Sequence, residues 1–295
     1  MPAPPILKRD WQKDHVYLIQ FPRAGCIPTL SPFALKLETW LRITGINYSS
    51  QQEKLKERWM TENEESVEYL FQNISNEFKK YSTKKQIPFI EVNGRQIADS
   101  NFCIDHLTET FHIEMDNQLS PLEKAQGRAF HVLLEESIRW VVVYNRGKNN
   151  KFFATPQGFA GHVSGVKKFF FKAVVLEQFR KKIWKMCYLQ GIGRHSLEEV
   201  EKIAMKDLLA LSVFLADKPF FFGSKPTTLD ATAFGHLTQL YFTPLNSDTL
   251  KKYMDEKTPN LVAHINRVKD LYWSDWDEAI RTLSLTTHNN PKTDS

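Results

Sequence analysis

The sequence is poor in cysteine and contains no long apolar run. Its three cysteines, Cys26, Cys103 and Cys187, are odd in number and far apart, which excludes a disulfide framework or a CxxC site built from sequence neighbours. No stretch approaches the roughly 20 apolar residues of a membrane-spanning helix, and the first residues lack the apolar core of a signal peptide. We therefore expect reduced thiols and no transmembrane segment in a protein of the cytoplasm.

Common catalytic and metal-binding signatures are also missing. The nine histidines form no HExxH or other paired ligand spacing, and the chain has neither a P-loop nor a GxSxG turn. Three cysteines are too few to sequester metal as a metallothionein does. We expect no metal and no nucleic-acid partner.

The net charge of +5 is unevenly distributed. Between residues 144 and 185 the chain carries ten cations and one carboxylate, Glu177. Such a segment fits either an anionic surface, including a membrane to which the protein attaches peripherally, or a solvated helix face. We expect the solvated face, because Phe169, Phe170 and Val174 can form one buried helix side while Lys168 and Lys172 point to water.

The first half of the chain has the signals of an α/β domain. Val16 to Gln20 is typical of a buried strand, and Ser31-Pro32 is a favourable helix start that leads to a stop at Gly45. Ile46 to Ser49 is expected to be a short second strand. In the long 51–85 connection, a capping box at Thr61–Glu64 is followed by apolar residues at helical spacing. There we predict a lengthened second helix through Val67, Leu70, Phe71, Ile74, Phe78 and Tyr81.

A hairpin followed by a helix is predicted between residues 86 and 107. Phe89 to Val92 is strand-like, Asn93-Gly94 suits a two-residue turn, and Gln96 to Ala98 begins the return strand. Pro88 stands at the head of the first strand, where either a cis or a trans peptide bond is acceptable. Asp99-Ser100 then marks a helix N-terminus, with Ser100 expected to cap it.

After Leu119 the signals are helical. Capping boxes occur at Ser120–Glu123 and Ser196–Glu199, and a third pairs Thr227 with Asp230, to which we assign a structural role. A loop at 152–165, a basic helix over 166–189, a helix from Pro259 to about Trp273 and a disordered tail at 286–295 complete the prediction. The domain boundary is therefore expected near Asp116, which divides the chain into domains at 14–115 and 116–285.

Four runs of residues resemble a known family. QFPR, SPFALKLETWLR, IPFIEVNG and IADS are similar to the glutathione S-transferase-like family that includes failed-axon-connections proteins, cadmium-responsive proteins of nematodes and, more distantly, metaxins. The resemblance covers roughly residues 16–276. It implies an α/β plus all-α fold class: a thioredoxin-like N-terminal domain followed by an all-helical C-terminal domain.

The resemblance also implies a glutathione site. Ser31 matches the helix-1 position at which related transferases carry serine or cysteine, and its hydroxyl would favour a thiolate. A plain N-cap role for Ser31 remains open, and Cys26, in the loop before the helix, is a rival nucleophile. Ile87 and Pro88 would pair with the cysteinyl backbone of glutathione, and Asp99-Ser100 would hold its γ-glutamyl end.

Two functions therefore remain open at this stage. The first is binding of glutathione, or its conjugation to a small electrophile, in detoxification or a stress response. The alternative is a non-catalytic, metaxin-like adaptor in development or mitochondrial outer-membrane assembly, which acts through a protein partner or a homodimer. Fold alone does not decide between them. Cadmium in a relative's name does not require metal binding here.

Overall fold

The N-terminal part of the protein forms one five-stranded sheet. In the computed structural model, which describes residues 6–48, 70–162, 165 and 174–286, the strand order is β2-β3-β1-β4-β5. β1 runs parallel to β3, and β3 runs parallel to β2, whereas β4 is antiparallel to both β1 and β5. The strands are β1 (His15–Gln20), β2 (Asn47–Tyr48), β3 (Leu70–Ser75), β4 (Phe89–Val92) and β5 (Arg95–Ala98).

The β4–β5 hairpin is confirmed in detail. Asn93 and Gly94 both have positive φ, 48° and 74°, which is the conformation that a tight hairpin turn requires. Of the two possibilities for Pro88, the structure has the cis peptide bond between Ile87 and Pro88.

The predicted helix in the 51–85 connection is wrong where the structure describes it. Leu70–Ser75 is strand β3, with Phe71 and Asn73 pointing into the protein and every residue paired with β1. The apolar spacing there fits a helix or a strand, and pairing with a strand more than 50 residues earlier decided the outcome. Phe78 and Tyr81 lie beyond the strand and are exposed. The Thr61–Glu64 capping box and Val67 lie outside the described residues.

Two helices cover one face of the sheet. The first, α1 (Pro32–Ile43), has Ser31 as its N-cap and proline in its first turn, as predicted. The second, α2 (Ser100–Phe111), begins where expected, but its N-cap is Asp99 rather than Ser100, because the Asp99 carboxylate accepts a hydrogen bond from the Asn101 N–H. The core between sheet and helices is apolar, and its members include Val16, Leu18, Leu37, Trp40, Ile90 and Leu107.

The rest of the described chain is mostly helical. A π-helical turn, Leu134–Ile138, joins two helices into one long segment that starts at the predicted Ser120 capping box. The helices are α3 (Pro121–Leu133), α4 (Arg139–Lys148), α5 (Leu176–Gln190), α6 (Leu197–Leu215), α7 (Thr228–Phe242), α8 (Thr249–Lys257), α9 (Pro259–Tyr272) and α10 (Trp276–Thr282).

Capping boxes are present at Ser196–Glu199 and Thr227–Asp230. The buried Asp230 carboxylate accepts hydrogen bonds from the main-chain N–H groups of Thr227 and Phe221, and it also lies 2.9 Å from His264 Nε2. These contacts tie the start of α7 to the loop before it and to α9. Among the described helices, none combines the length and apolar content needed to cross a bilayer.

The sheet and the helical part share a buried interface centred on α1. Glu38 of α1 accepts hydrogen bonds from Arg23 and Arg42, and Arg42 also pairs with Asp275 at 2.6 Å. The Arg42 guanidinium lies 3.7 Å from the centre of the Trp273 ring. Gly235 of α7 lies against the first turns of α1, at the backbone of Pro32 and Lys36. This interface fixes the position of the helical part over the start of α1.

Candidate functional site

The predicted glutathione-site residues lie at one end of the sheet. Ile19, near the end of β1, pairs with Phe89, the first residue of β4. Phe89 in turn pairs with Ala98, the last residue of β5. The loop that leads to Ser31, the Ile87–Pro88 bond and the Asp99-Ser100 turn therefore emerge from the same edge.

Ser31 is placed at the N-terminus of α1 and is only 9% exposed. Its Oγ accepts a hydrogen bond from the Ala34 N–H at 3.2 Å. This contact occupies a hydroxyl lone pair but leaves the hydroxyl proton available to a ligand. At this position, a thiolate would be stabilised by the hydroxyl and by the positive end of the helix dipole.

The other two elements offer main-chain and helix-end contacts. Ile87 is partly buried and lies just before the point at which the β4 ladder begins. Asp99 has a φ of +85°, and Ser100, 4% exposed, is the first residue of α2. Free N–H groups at a helix start bind carboxylates, so this turn suits the carboxylate of a γ-glutamyl group.

Side chains from the helical part hold the loop in front of Ser31. Arg146 of α4 donates to the Leu30 carbonyl at 2.7 Å and to Gln239 Oε1 at 2.6 Å. Gln239 of α7 donates to the Thr29 carbonyl at 3.1 Å. Burial lowers the pKa of Arg146 to about 10, although Cys26 opposes this shift. Arg146 remains a cation at neutral pH.

The turns at 151–162 enclose the same loop from another direction. A ring nitrogen of His162 lies 2.7 Å from the Arg23 carbonyl oxygen. Gly25 packs so closely on the Pro156 carbonyl that a Cβ atom would lie 1.9 Å from its oxygen. The conformation of the loop before Ser31 is thus set by contacts with distant parts of the chain.

Cys26, the rival nucleophile, lies in this loop and is partly buried. Burial raises the pKa of its thiol to about 11, although the Arg146 guanidinium pulls in the opposite direction. Because the thiolate is the reactive form, Cys26 is a poor nucleophile at neutral pH. All three cysteines are free thiols.

A buried polar cluster next to the site was not predicted. Lys36 of α1 donates to Glu135 at 2.7 Å and to Asn101 at 2.8 Å, and Asn101 also donates to Glu135 at 3.0 Å. His131 Nε2 lies 3.1 Å from the same carboxylate. Burial opposes ionisation of Glu135, but His131 and Lys36 outweigh it and hold its pKa well below the usual range. Burial lowers the pKa of Lys36 despite the adjacent Glu135.

The Glu135 carboxylate balances the charge of the Lys36 ammonium group, which also donates to Asn101 near the start of α2. Lys36 is therefore not a free anion site. A lysine and a glutamate inside the apolar SPFALKLETW run are a sequence signal for buried charge on α1. The partners, Glu135 and Arg146, have no comparable signal. In the part of the chain that the structure describes, no group of three or more His, Cys, Asp or Glu side chains is arranged to hold a metal ion.

The sheet and its edge site, joined to a helical part through α1, define a protein with the glutathione S-transferase fold. Two family models match the chain, the glutathione S-transferase N-terminal domain over residues 65–152 and the C-terminal domain over 204–268. An isoprene-epoxide–glutathione S-transferase of Rhodococcus is 30% identical over 83% of this chain and 94% of that protein. The chain belongs to the glutathione S-transferase family.

The chain is also similar to relatives whose names do not describe an enzyme. Failed axon connections of Drosophila melanogaster is 36% identical over 97% of this chain, which spans 66% of that relative's length. The metaxin-1 homologue of Caenorhabditis briggsae is 30% identical over 62% of this chain and 56% of that protein. The resemblance expected from the SPFALKLETWLR and IPFIEVNG runs is thereby confirmed.

Solved structures agree on the fold. A β-etherase of Sphingobium matches with a TM-score of 0.53 at 15% identity, covering 91% of this chain and 99% of that one. At this identity the likeness concerns the fold alone. It confirms the predicted thioredoxin-like sheet followed by a mostly helical part.

Proposed function

We propose that this protein binds glutathione at the sheet edge and conjugates it to a small electrophile. The observation that carries the proposal is the convergence of Ser31, the Ile87–Pro88 bond and the Asp99-Ser100 turn at one end of the sheet. In this arrangement the α2 N-terminus receives the γ-glutamyl carboxylate, and the Ile87 main chain pairs with the cysteinyl unit. The glutathione thiol then lies near the start of α1.

The proposed chemistry is a nucleophilic substitution or ring opening. The thiol loses its proton to water, and the Ser31 hydroxyl and the α1 dipole stabilise the thiolate. The sulfur forms a bond to carbon of the electrophile while a leaving group departs or an epoxide C–O bond breaks, and the resulting oxyanion takes up a proton. The name of the Rhodococcus relative supports an epoxide as the first electrophile to try.

Other parts of the proposal follow from the sequence. We divide the chain into an N-terminal domain at 14–115 and a C-terminal domain at 116–285, and we place the protein in the cytoplasm, in detoxification or a stress response such as the response to cadmium. The protein needs no metal for this role, since thiolate stabilisation is assigned to Ser31.

The test is calorimetry with glutathione followed by a conjugation assay with an epoxide and an electrophilic aromatic compound. Ser31→Asn retains a good N-cap but loses the hydroxyl, whereas Ser31→Thr retains both. We expect glutathione binding in all three proteins and a conjugation rate about 100-fold lower in Ser31→Asn alone, in the range of one lost catalytic hydrogen bond.

Cys26→Ser provides the control for the rival nucleophile, and we expect it to leave the conjugation rate unchanged. Ser100→Ala, which removes a hydroxyl donor at the first residue of α2, tests the carboxylate site and should weaken glutathione binding. Absence of heat at millimolar glutathione in the native protein would overturn the proposal.

A second function, a non-catalytic adaptor, is favoured by the 9% exposure of Ser31 and by the side chains that hold the loop before it. The metaxin relatives support the same idea. An adaptor would recruit a protein partner, or form a homodimer, in development or mitochondrial outer-membrane assembly. A partner that is recovered equally by the native protein, Ser31→Asn and Ser100→Ala, together with no thiol chemistry, would establish this function instead.

A further inference from the structure

One side of α5 exposes an apolar stripe. Val175, Phe179, Met186 and Leu189 are 40%, 44%, 43% and 70% exposed. They follow one another at intervals of four, seven and three residues, so they lie along one side of the helix, with Val175 directly before its first residue and Lys182 midway between Phe179 and Met186. Four large apolar side chains exposed on one side of a helix are a candidate interaction surface.

Cations lie within and beside the stripe. Lys181, Lys182 and Lys185 are exposed; at helical spacing Lys182 lies within the stripe, and Lys181 and Lys185 lie along one flank of it. The one carboxylate of the helix, Glu177, pairs with Arg180 at 2.7 Å and lies 3.9 Å from Lys181. Lys182 and Lys185 form no ion pair with the residues that the structure describes. The outer surface of α5 is therefore both apolar and basic.

The opposite side of α5 anchors the helix to the protein. Leu176, Ile183 and Cys187 are buried, and Ile183 packs against Gly147 of α4. The Trp184 ring lies 5.5 Å from the Tyr144 ring, and the Lys148 ammonium group is 4.5 Å from the Trp184 ring centre. These contacts fix the orientation of α5, so the stripe stays on the outer surface of the protein.

We propose that α5 docks in the plane of an anionic lipid surface. An exposed helix with an apolar stripe and adjacent lysines places the stripe at the boundary between headgroups and acyl chains, while the lysines contact anionic headgroups. The stripe belongs to one helix that faces outward, so it forms a ridge and not a groove. A bilayer accommodates such a shape without a complementary groove, whereas a protein partner would have to supply one.

This inference replaces the solvated basic face that the sequence predicted. That expectation relied on Phe169 and Phe170 as the buried side, and both lie outside the described residues. In the described part of the segment, the apolar residues Phe179, Met186 and Leu189 are exposed together with the lysines. The proposal does not depend on glutathione binding.

Co-sedimentation of the full-length protein with vesicles tests the proposal. Vesicles of phosphatidylcholine with 30% phosphatidylserine should pellet the protein at low salt, and the bound fraction should fall at physiological salt, because the Debye length shortens. Pure phosphatidylcholine should pellet much less. Lys181→Glu with Lys182→Glu should lower the partition coefficient at least about tenfold, given the contribution of each basic residue near such a surface.

Matched variants on α6 separate this site from a general effect of charge or hydrophobicity. Lys202→Glu with Lys206→Glu makes the same charge change on another exposed helix and should have little effect. Leu189→Ser should weaken binding severalfold, whereas Val213→Ser, which alters an equally exposed apolar residue at 71%, should not.

Several outcomes would overturn the proposal. These are equal losses in the α5 and α6 variants, equal binding to neutral and anionic vesicles, and no pelleting at low salt. The last of these would leave an acidic protein as the partner of the stripe. Circular dichroism of each variant confirms that these exposed substitutions leave the fold intact.

Discussion

The guanidinium of Arg146 donates a 2.7 Å hydrogen bond to the carbonyl oxygen of Leu30, the residue immediately before Ser31. Arg146 belongs to α4, so the helical part of the protein sets the conformation of the loop that presents Ser31. Gln239 holds the preceding carbonyl, that of Thr29, in the same way. The site is therefore assembled from both parts of the chain.

Arg146→Met should destabilise the protein and loosen this loop. It removes hydrogen bonds to Leu30 and Gln239 but keeps much of the apolar volume, so we expect the free energy of unfolding to fall by about 2 kcal/mol. Urea denaturation measures this change. Arg128→Met is the control, because Arg128 is exposed and has no hydrogen bond or ion pair to the described residues. Equal stability of the two variants would contradict the role of Arg146.

Gly235→Ala should weaken the contact between α7 and α1. A Cβ at this position would lie 2.6 Å from the Pro32 carbonyl oxygen and 2.8 Å from the Lys36 nitrogen, both of which are backbone atoms. We expect a loss of about 1–3 kcal/mol on unfolding, typical of overpacking, despite the better helix propensity of alanine.

Gly127→Ala is the matched control within α3. There the added Cβ would meet only the tip of the Phe222 ring, at 3.3 Å, and this side chain can move. We expect no loss, or a gain of about 0.5–1 kcal/mol from helix propensity. Thermal or urea unfolding that gives the same sign for both variants would argue against close packing at Gly235.

Glu38 should make the protein sensitive to acid between pH 4.5 and about 2. Burial raises the pKa of its carboxyl, but Arg23 and Arg42 lower it more, so that it falls from 4.5 to about 2. Since the folded-state pKa is depressed, the stabilisation is complete above pH 4.5 and is lost as the pH falls through this range. It amounts to about 3 kcal/mol.

Glu38→Gln tests this expectation by urea unfolding at several pH values. At pH 7 the variant should be about 3–5 kcal/mol less stable, because the buried guanidinium groups of Arg23 and Arg42 both lose the Glu38 carboxylate, while the ion pair with Asp275 remains for Arg42. The difference from the native protein should narrow as the pH approaches 2. A difference that is constant with pH would show that the ionised carboxylate is not what stabilises the interface.

His236 should add a second acid-sensitive step at higher pH. It is 1% exposed in α7, and burial lowers its pKa from 6.5 to about 4. The unfolded chain then takes up a proton near pH 6.5 that the folded protein accepts only near pH 4. Stability is therefore complete above pH 6.5 and falls between 6.5 and 4, by about 3 kcal/mol.

His236→Asn should remove this step while retaining a donor near the Thr232 carbonyl, which lies 2.9 Å from His236 Nδ1. Its unfolding free energy should change less between pH 6.5 and 4 than that of the native protein. An identical pH dependence in the two proteins would refute the assignment.

Elements that depend on neighbouring residues could be predicted from the sequence. The Asn93-Gly94 turn, the Ser31-Pro32 helix start and the Thr227–Asp230 capping box each require hydrogen bonds or backbone angles within a few residues, and the structure contains all three. Apart from β3, which the sequence predicted to be helical, the order of the predicted strands and of the first helices followed from the same local signals. Asp99 in place of Ser100 as the N-cap of α2 is an error of one residue, because both side chains can cap a helix.

Pairing across the chain could not be predicted in this way. Leu70–Ser75 has apolar spacing that a helix or a strand can use, and only the parallel ladder with β1 selects the strand. Lys36 meets Glu135 from 99 residues away, and Arg146 meets Leu30 from 116 residues away. Nothing in the local sequence marks these partners.

By itself, then, the amino-acid sequence determined where the hairpin turns and where several helices begin, and it placed Ser31, Pro88 and Asp99-Ser100 at the starts of elements. Tertiary structure alone decided that these positions meet at one sheet edge, that Cys26 is a partly buried thiol and that the stripe on α5 faces outward. The physical reason is the distance along the chain over which each interaction acts. Helix capping and turn formation depend on residues that are neighbours in sequence. Burial, pKa and exposure depend on which parts of the chain, distant in sequence, pack together.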